Sequence, residues 1–226
     1  MPRYRLRYAK RWAARFLSHL DMVRLFERAL RRAAWPVSLT GGFNRRPKMV
    51  FAAALPVGLT STAEYVDVWV EEAIEPGGAL AVLNASLPPG VEVLALAPVP
   101  EGRANLMAAV RAARYLFAWP TGGEELARRW LALERRPRWC VVRRTKKALR
   151  TIDIKPLVYE AHLARRGSSG ILKLTVASGQ ESNVRPGEVV ELLVECGEGG
   201  FPEPFCIHRL ELFIERGGRL VTPLET

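Results

Sequence analysis

The chain has 226 residues, 49% of them hydrophobic, with 34 lysines and arginines against 23 acids and a formal net charge of +11. That length allows one large core or two small ones, and the charge points to a polyanion as partner. No apolar run approaches the roughly 18 residues that span a bilayer, and the amino terminus MPRYRLRYAKR alternates charge with apolar residues instead of presenting a signal-peptide core. The expectation is a cytoplasmic protein with no membrane partner. Three cysteines, Cys140, Cys196 and Cys206, stand at unrelated spacings and mark no cofactor or metal site.

Charge is unevenly placed. Residues 1–50 carry thirteen cations against two acids and 51–100 carry six acids and no cation; 101–166 carry sixteen cations against six acids and 167–226 five against nine. A basic segment followed by an acidic one occurs twice, which suggests two similarly built halves.

In chain order, Arg3 to Ala9 alternates and reads as a strand, with arginines on one face and Tyr4, Leu6 and Tyr8 on the other. Ser18, with Asp21 three residues on, forms an S-x-x-D box at a helix start. At about 100° per residue, Met22, Val23, Leu25, Phe26, Ala29, Leu30, Ala33 and Ala34 fall on one arc, and Asp21, Arg24, Arg28, Arg31 and Arg32 on the other. Trp35-Pro36 ends that helix, Gly41-Gly42 turns the chain, and Asn44 to Lys48 makes a proline-stiffened basic loop suited to phosphate. Lys48 to Val57 reads as a strand, Glu64 to Glu71 as another, Pro76 to Ala85 as a helix opened by proline, and Val91 to Ala97 as a strand. The order is βαββαβ, a ferredoxin-like split.

Pro98 to Gly102 breaks the pattern, so the expected domains are 1–100 and 101–226. In the second, Arg114 to Trp119, Arg138 to Thr145, Ile171 to Ala177 and Ile207 to Glu215 read as strands, with helices at Thr121 to Leu133 and after Pro186. The expected fold class is α+β, two tandem ferredoxin-like domains.

Arg45, Arg46 and Lys48 in the first half, and Arg143, Arg144, Lys146 and Lys147 in the second, occupy comparable places near a second strand. Arginine offers a planar donor fork for phosphate and stacks on bases, so these residues are the candidate RNA contacts. Phe43, beside Asn44, could add stacking, but an aromatic next to a turn is more often a core anchor, and that is the expectation. His19 could serve as a general base toward a ribose 2′-hydroxyl, but it falls toward the apolar arc and has no second catalytic group at a recognisable spacing, so no catalytic residue is assigned. Asp67, Glu71 and Asp153 form no clustered metal motif, and Cys206 with His208 makes a poor zinc site. Gly197 to Gly200, flanked by Glu195, Glu198 and Glu203, reads as a plain turn.

The runs SHLDMVRLFERALRRA, GFNRRPK and LPVG, with TIDIKPL at 151–157 and NVRPGE at 183–188, resemble the bacterial radical-SAM-linked protein family, a domain of unknown function found fused to, or encoded beside, radical SAM proteins. The resemblance implies a radical SAM protein as partner; the C-x-x-x-C-x-x-C cluster motif of such an enzyme is missing from this sequence. The expected function is a noncatalytic RNA-binding accessory protein that positions ribosomal or transfer RNA for that partner. Two alternatives stand beside it: a metal-independent endoribonuclease using His19, similar in fold to CRISPR repeat-processing enzymes, and a pure protein-interaction module.

Overall fold

The computed structural model describes residues 1–144 and 148–225. They form a mixed α/β structure with a mostly antiparallel sheet, divided into two compact units: Met1–Arg111 with Arg209–Thr226, and Ala112–His208. Residues 209–226 thus return to the first unit, whereas the sequence placed everything after residue 100 in the second. Among the described residues no helix is long and apolar enough to cross a membrane.

The first unit begins with β1 (Arg3–Lys10), a 3₁₀ turn at Trp12–Phe16 and α1 (His19–Arg32). Ser18 starts α1 as expected: its hydroxyl accepts from the Asp21 N–H at 3.2 Å, and its own N–H donates to Asp21 Oδ2 at 3.0 Å. Next come β2 (Met49–Phe51), β3 (Thr60–Trp69), α2 (Pro76–Ala85) and β4 (Val91–Pro98), then the short α3 (Leu106–Ala109). β1 pairs antiparallel with β3 and β4, and β2 pairs antiparallel with β3, which gives the order β4-β1-β3-β2. The apolar arc of α1 packs on this sheet, where Phe26 meets Tyr8 and Phe51 edge-on, with centroids 4.9 and 5.7 Å apart. Ala34 leaves the arc: it is exposed and holds a φ of 51° just past the helix.

The arginine face of β1 is not a solvent face. Arg5 is buried and clasps Asp67 through two bonds of 2.7 and 2.9 Å, while its third nitrogen reaches the Pro223 carbonyl at 2.8 Å. Buried charges persist only when paired and hydrogen-bonded. Arg209 repeats the arrangement on Glu64, at 2.8 and 3.0 Å, from the strand β10 (Cys206–Arg216). These two pairs explain why the C-terminal residues belong to the first unit.

The second unit contains β5 (Val110–Trp119), α4 (Gly123–Arg135), β6 (Cys140–Arg144), β7 (Leu149–Asp153), β8 (Val158–Arg166), β9 (Ser169–Ala177) and α5 (Pro186–Val194). β9 lies between β5 and β8, antiparallel to both, which gives the order β5-β9-β8. Of the segment expected as the second strand of this half, Arg138 to Thr145, residues Cys140–Arg144 form β6 and pair with β7 in a separate ladder, Thr145 lies outside the described residues, and β8 takes the place beside β9. α4 crosses the start of β9 closely enough that a Cβ on Gly123 would stand 2.4 Å from the Ser169 carbonyl oxygen, so this position requires glycine.

Candidate nucleic-acid interface

The polar face of α1 and the loop that follows it build one concave site. Leu25, Phe26, Ala29 and Leu30 hold the helix on the sheet, which turns Arg24, Glu27 and Arg31 outward. The loop is pinned at its neck: Thr40 N–H donates to the Arg46 carbonyl at 2.8 Å, Arg46 N–H to the Thr40 hydroxyl at 3.2 Å, and Lys48 N–H to the Ser38 carbonyl at 2.7 Å. Gly42, at a φ of 97°, makes the turn. The tip therefore projects over α1, and Phe43 to Arg46 close an open recess of about 580 Å³ against Arg24, Glu27 and Arg31.

Four guanidinium groups share that recess with one carboxylate, and Arg46 Nη1 lies 3.9 Å from Glu27 Oε1. Phe43 is fully exposed, not the core anchor expected from its place beside a turn. A free aromatic face beside four cations is a platform for a flat π-system carrying negative charge.

The predicted contacts separate in the structure. Arg45 and Arg46 line the recess and are exposed. Lys48 stands apart, half-buried, with its ammonium 5.0 Å from the centroid of Trp69. Arg143 is committed internally: Nε and Nη2 reach the Glu188 carboxylate at 2.6 and 2.7 Å, Nη1 the Asn183 Oδ1 at 2.8 Å, and Nη2 the Asn183 carbonyl at 2.7 Å. With those donors engaged it clamps the segment 183–188 to β6 and offers no free fork to phosphate. Arg144 is exposed on β6, and Lys146 and Lys147 lie outside the described residues.

Arg129 was missed by sequence reasoning. It is buried and gathers the Leu193, Val194 and Glu198 carbonyls at 3.1, 2.7 and 2.9 Å, with its guanidinium 4.9 Å from the Phe201 ring centroid. The Gly197–Gly200 loop is thus organised inward around a cation; a Cβ on Gly197 would stand 2.6 Å from Arg129 Cζ. The only signal for Arg129 was its place between Leu126 and Leu133 on the apolar face of α4.

His19 is exposed and sits edge-on to Phe51 at 5.3 Å, and His162 meets Glu160 at 2.9 Å on exposed β8. Asp21 is held below the usual carboxylate range by the Ser18 hydroxyl first and the Ser18 N–H second. Lys10 is lowered chiefly by burial, with its ammonium donating to the Leu17 carbonyl at 2.7 Å. Among the described residues no three His, Cys, Asp or Glu side chains gather as a metal site.

Fold and site together define a mixed α/β protein with a cationic, aromatic-tipped recess on its first unit. The chain belongs to DUF2344, an uncharacterized protein family conserved in bacteria, which it matches over residues 3–186. No curated protein matches it. Among solved structures it is similar to a chain of a Cbf5-Nop10-Gar1 complex, at 10% identity and a TM-score of 0.48, over 92% of this chain and 48% of that one, and so spans about half of its length. It is also similar to an unknown protein from Galdieria sulphuraria, at 12% identity and a TM-score of 0.27, over 86% of this chain and 91% of that one.

Proposed function

We propose that the chain binds RNA without cleaving it, holding the phosphate backbone in the recess between α1 and the Phe43–Arg46 tip, and presents that RNA to a radical SAM partner. The observation that carries the RNA part is the convergence of Arg24, Arg31, Arg45 and Arg46 on one recess beneath a fully exposed Phe43. Arginine forks grip phosphate, and an exposed ring stacks on a base of any identity. Four neutralised phosphates on a single strand correspond to a salt slope of about −3 in log K against log salt.

The architecture fits the same reading. The order β4-β1-β3-β2 supports a ferredoxin-like first unit, and β5-β9-β8 with α4 and α5 supports three strands and two helices of a second one, with the β6–β7 ladder inserted. The partner comes from the resemblance of SHLD, GFNRRPK, TIDIKPL and NVRPGE to the radical-SAM-linked family. The noncatalytic part rests on the sequence, in which His19 has no second catalytic group at a recognisable spacing.

The test is recovery of nucleic acid from protein purified at low salt, followed by competition with an unrelated RNA. Selective enrichment that disappears in Arg45→Ala/Arg46→Ala supports RNA presentation. Equal, weak binding to every polyanion overturns it and leaves a protein-interaction module.

A further inference from the structure

Phosphate binding alone leaves the one carboxylate of the recess unaccounted for. Glu27 lies three residues after Arg24 and four before Arg31 on α1, so all three share a helix face. Its side chain is only 15% exposed, and its contact with Arg46, at 3.9 Å, is too long for a hydrogen bond. A carboxylate repels phosphate. Set among four arginines in a recess roofed by an aromatic ring, it is an acceptor awaiting N–H donors.

We infer that the recess takes an unpaired guanosine of the bound strand, with Phe43 stacked on the base and Glu27 accepting from its Watson–Crick edge. This assignment rests on the RNA reading above and adds the base to it. Guanine presents two adjacent donors, N1–H and the N2 amine, which one carboxylate accepts together. Adenine and cytosine place a ring-nitrogen acceptor beside their amine, and uracil flanks its single N–H with carbonyls; each sets a lone pair against the carboxylate. Guanine also offers O6 and N7 to an arginine fork, the commonest specific contact of that side chain with a base. The three remaining arginines hold the flanking phosphates, which sets the salt slope for a guanosine strand at about −2 rather than about −3. A paired guanine has neither a free Watson–Crick edge nor a free face for Phe43, so the site selects loops, bulges or ends.

The experiment is fluorescence anisotropy with labelled five-nucleotide RNAs, uridine on both sides of a central guanosine, inosine or adenosine, against the wild-type chain and Glu27→Gln. Gln is nearly isosteric on a helix surface, and circular dichroism checks folding. The wild type is expected to bind the guanosine strand at least tenfold tighter than the adenosine strand, with inosine, which lacks the N2 amine, losing most of that margin. Glu27→Gln is expected to erase the preference while leaving the adenosine strand bound as well or better, since a negative charge is gone. Free guanosine monophosphate, without flanking phosphates, is expected to compete at least 100-fold more weakly than the guanosine strand; competition as strong as the strand's makes the ligand a free nucleotide and overturns the assignment. Equal binding of all three strands, still lost in Arg45→Ala/Arg46→Ala, overturns the guanosine assignment and leaves RNA binding standing. Binding to no strand removes the RNA reading and the guanosine with it.

Discussion

Arg143 separates a clamp from a phosphate contact. In Arg143→Met the stem volume remains, but two bonds to Glu188 and two to Asn183 are lost. The Arg143 and Glu188 side chains are 12% and 8% exposed, so Glu188 is left as a nearly buried charge. Removing one partner of a buried pair costs roughly 3–5 kcal/mol. Glu188 keeps one bond, from the Arg185 N–H at 2.9 Å, and the Arg185 guanidinium at 4.0 Å, and the pair is not wholly buried, which brings the expected loss to about 2–3 kcal/mol. At a urea dependence of about 2 kcal/mol per M, the unfolding midpoint of the second unit falls by roughly 1–1.5 M. Urea titration followed by tryptophan fluorescence reads that shift. Arg143→Met/Glu188→Leu should recover part of it, because no charge is then stranded. An unchanged midpoint in Arg143→Met, with RNA affinity and salt slope both reduced, would refute the clamp and restore Arg143 as a phosphate contact.

Phe43→Ala should leave the unfolding midpoint within error, since the ring is fully exposed, and weaken single-stranded RNA binding by about 1–3 kcal/mol, read by anisotropy. Ser18→Ala should cost about 1 kcal/mol of stability through the lost helix cap, measured by thermal or urea unfolding. Because Asp21 titrates below its unfolded value, its stabilising contribution is fully present above the ordinary Asp range and is lost as pH falls through its lowered folded pKa. Asp21→Asn should therefore flatten the acid limb of the stability profile and leave the alkaline limb unchanged. Gly197→Ala should destabilise the second unit by about 1–3 kcal/mol, since the added methyl collides with the Arg129 guanidinium; an unchanged melting curve would show that the loop gives way.

Local signals were legible where the physics is local. The Ser18 cap, the apolar arc of α1 and the proline-opened α2 are fixed by residues within one or two turns of each other, and, Ala34 apart, each stands where the sequence put it. Long-range partners were not legible. Alternation placed Arg5 on a face of β1 but could not show that Asp67, sixty-two residues on, would meet it, nor that Pro223 would cover it. β8 went unread because VYEAHLARR is rich in helix formers and much of it is exposed; its pairing with β9 overrides that propensity. In the recess, the basic loop and the arginine face of α1 were each visible, yet only the Thr40–Arg46 neck brings one over the other and leaves Phe43 in solvent. The contacts of Arg143 with Asn183 and Glu188 were not legible, because a basic run gives no hint of partners forty and forty-five residues on.

The most direct measurement is a salt titration of single-stranded RNA affinity for the wild type, Arg45→Ala/Arg46→Ala and Arg143→Met. The recess requires the double variant to bind more weakly and to lower the magnitude of the salt slope by about 1.4, two phosphates' worth, while folded Arg143→Met keeps the wild-type slope. A double variant with the wild-type slope, or a slope lost only in Arg143→Met, would contradict the recess as the RNA site.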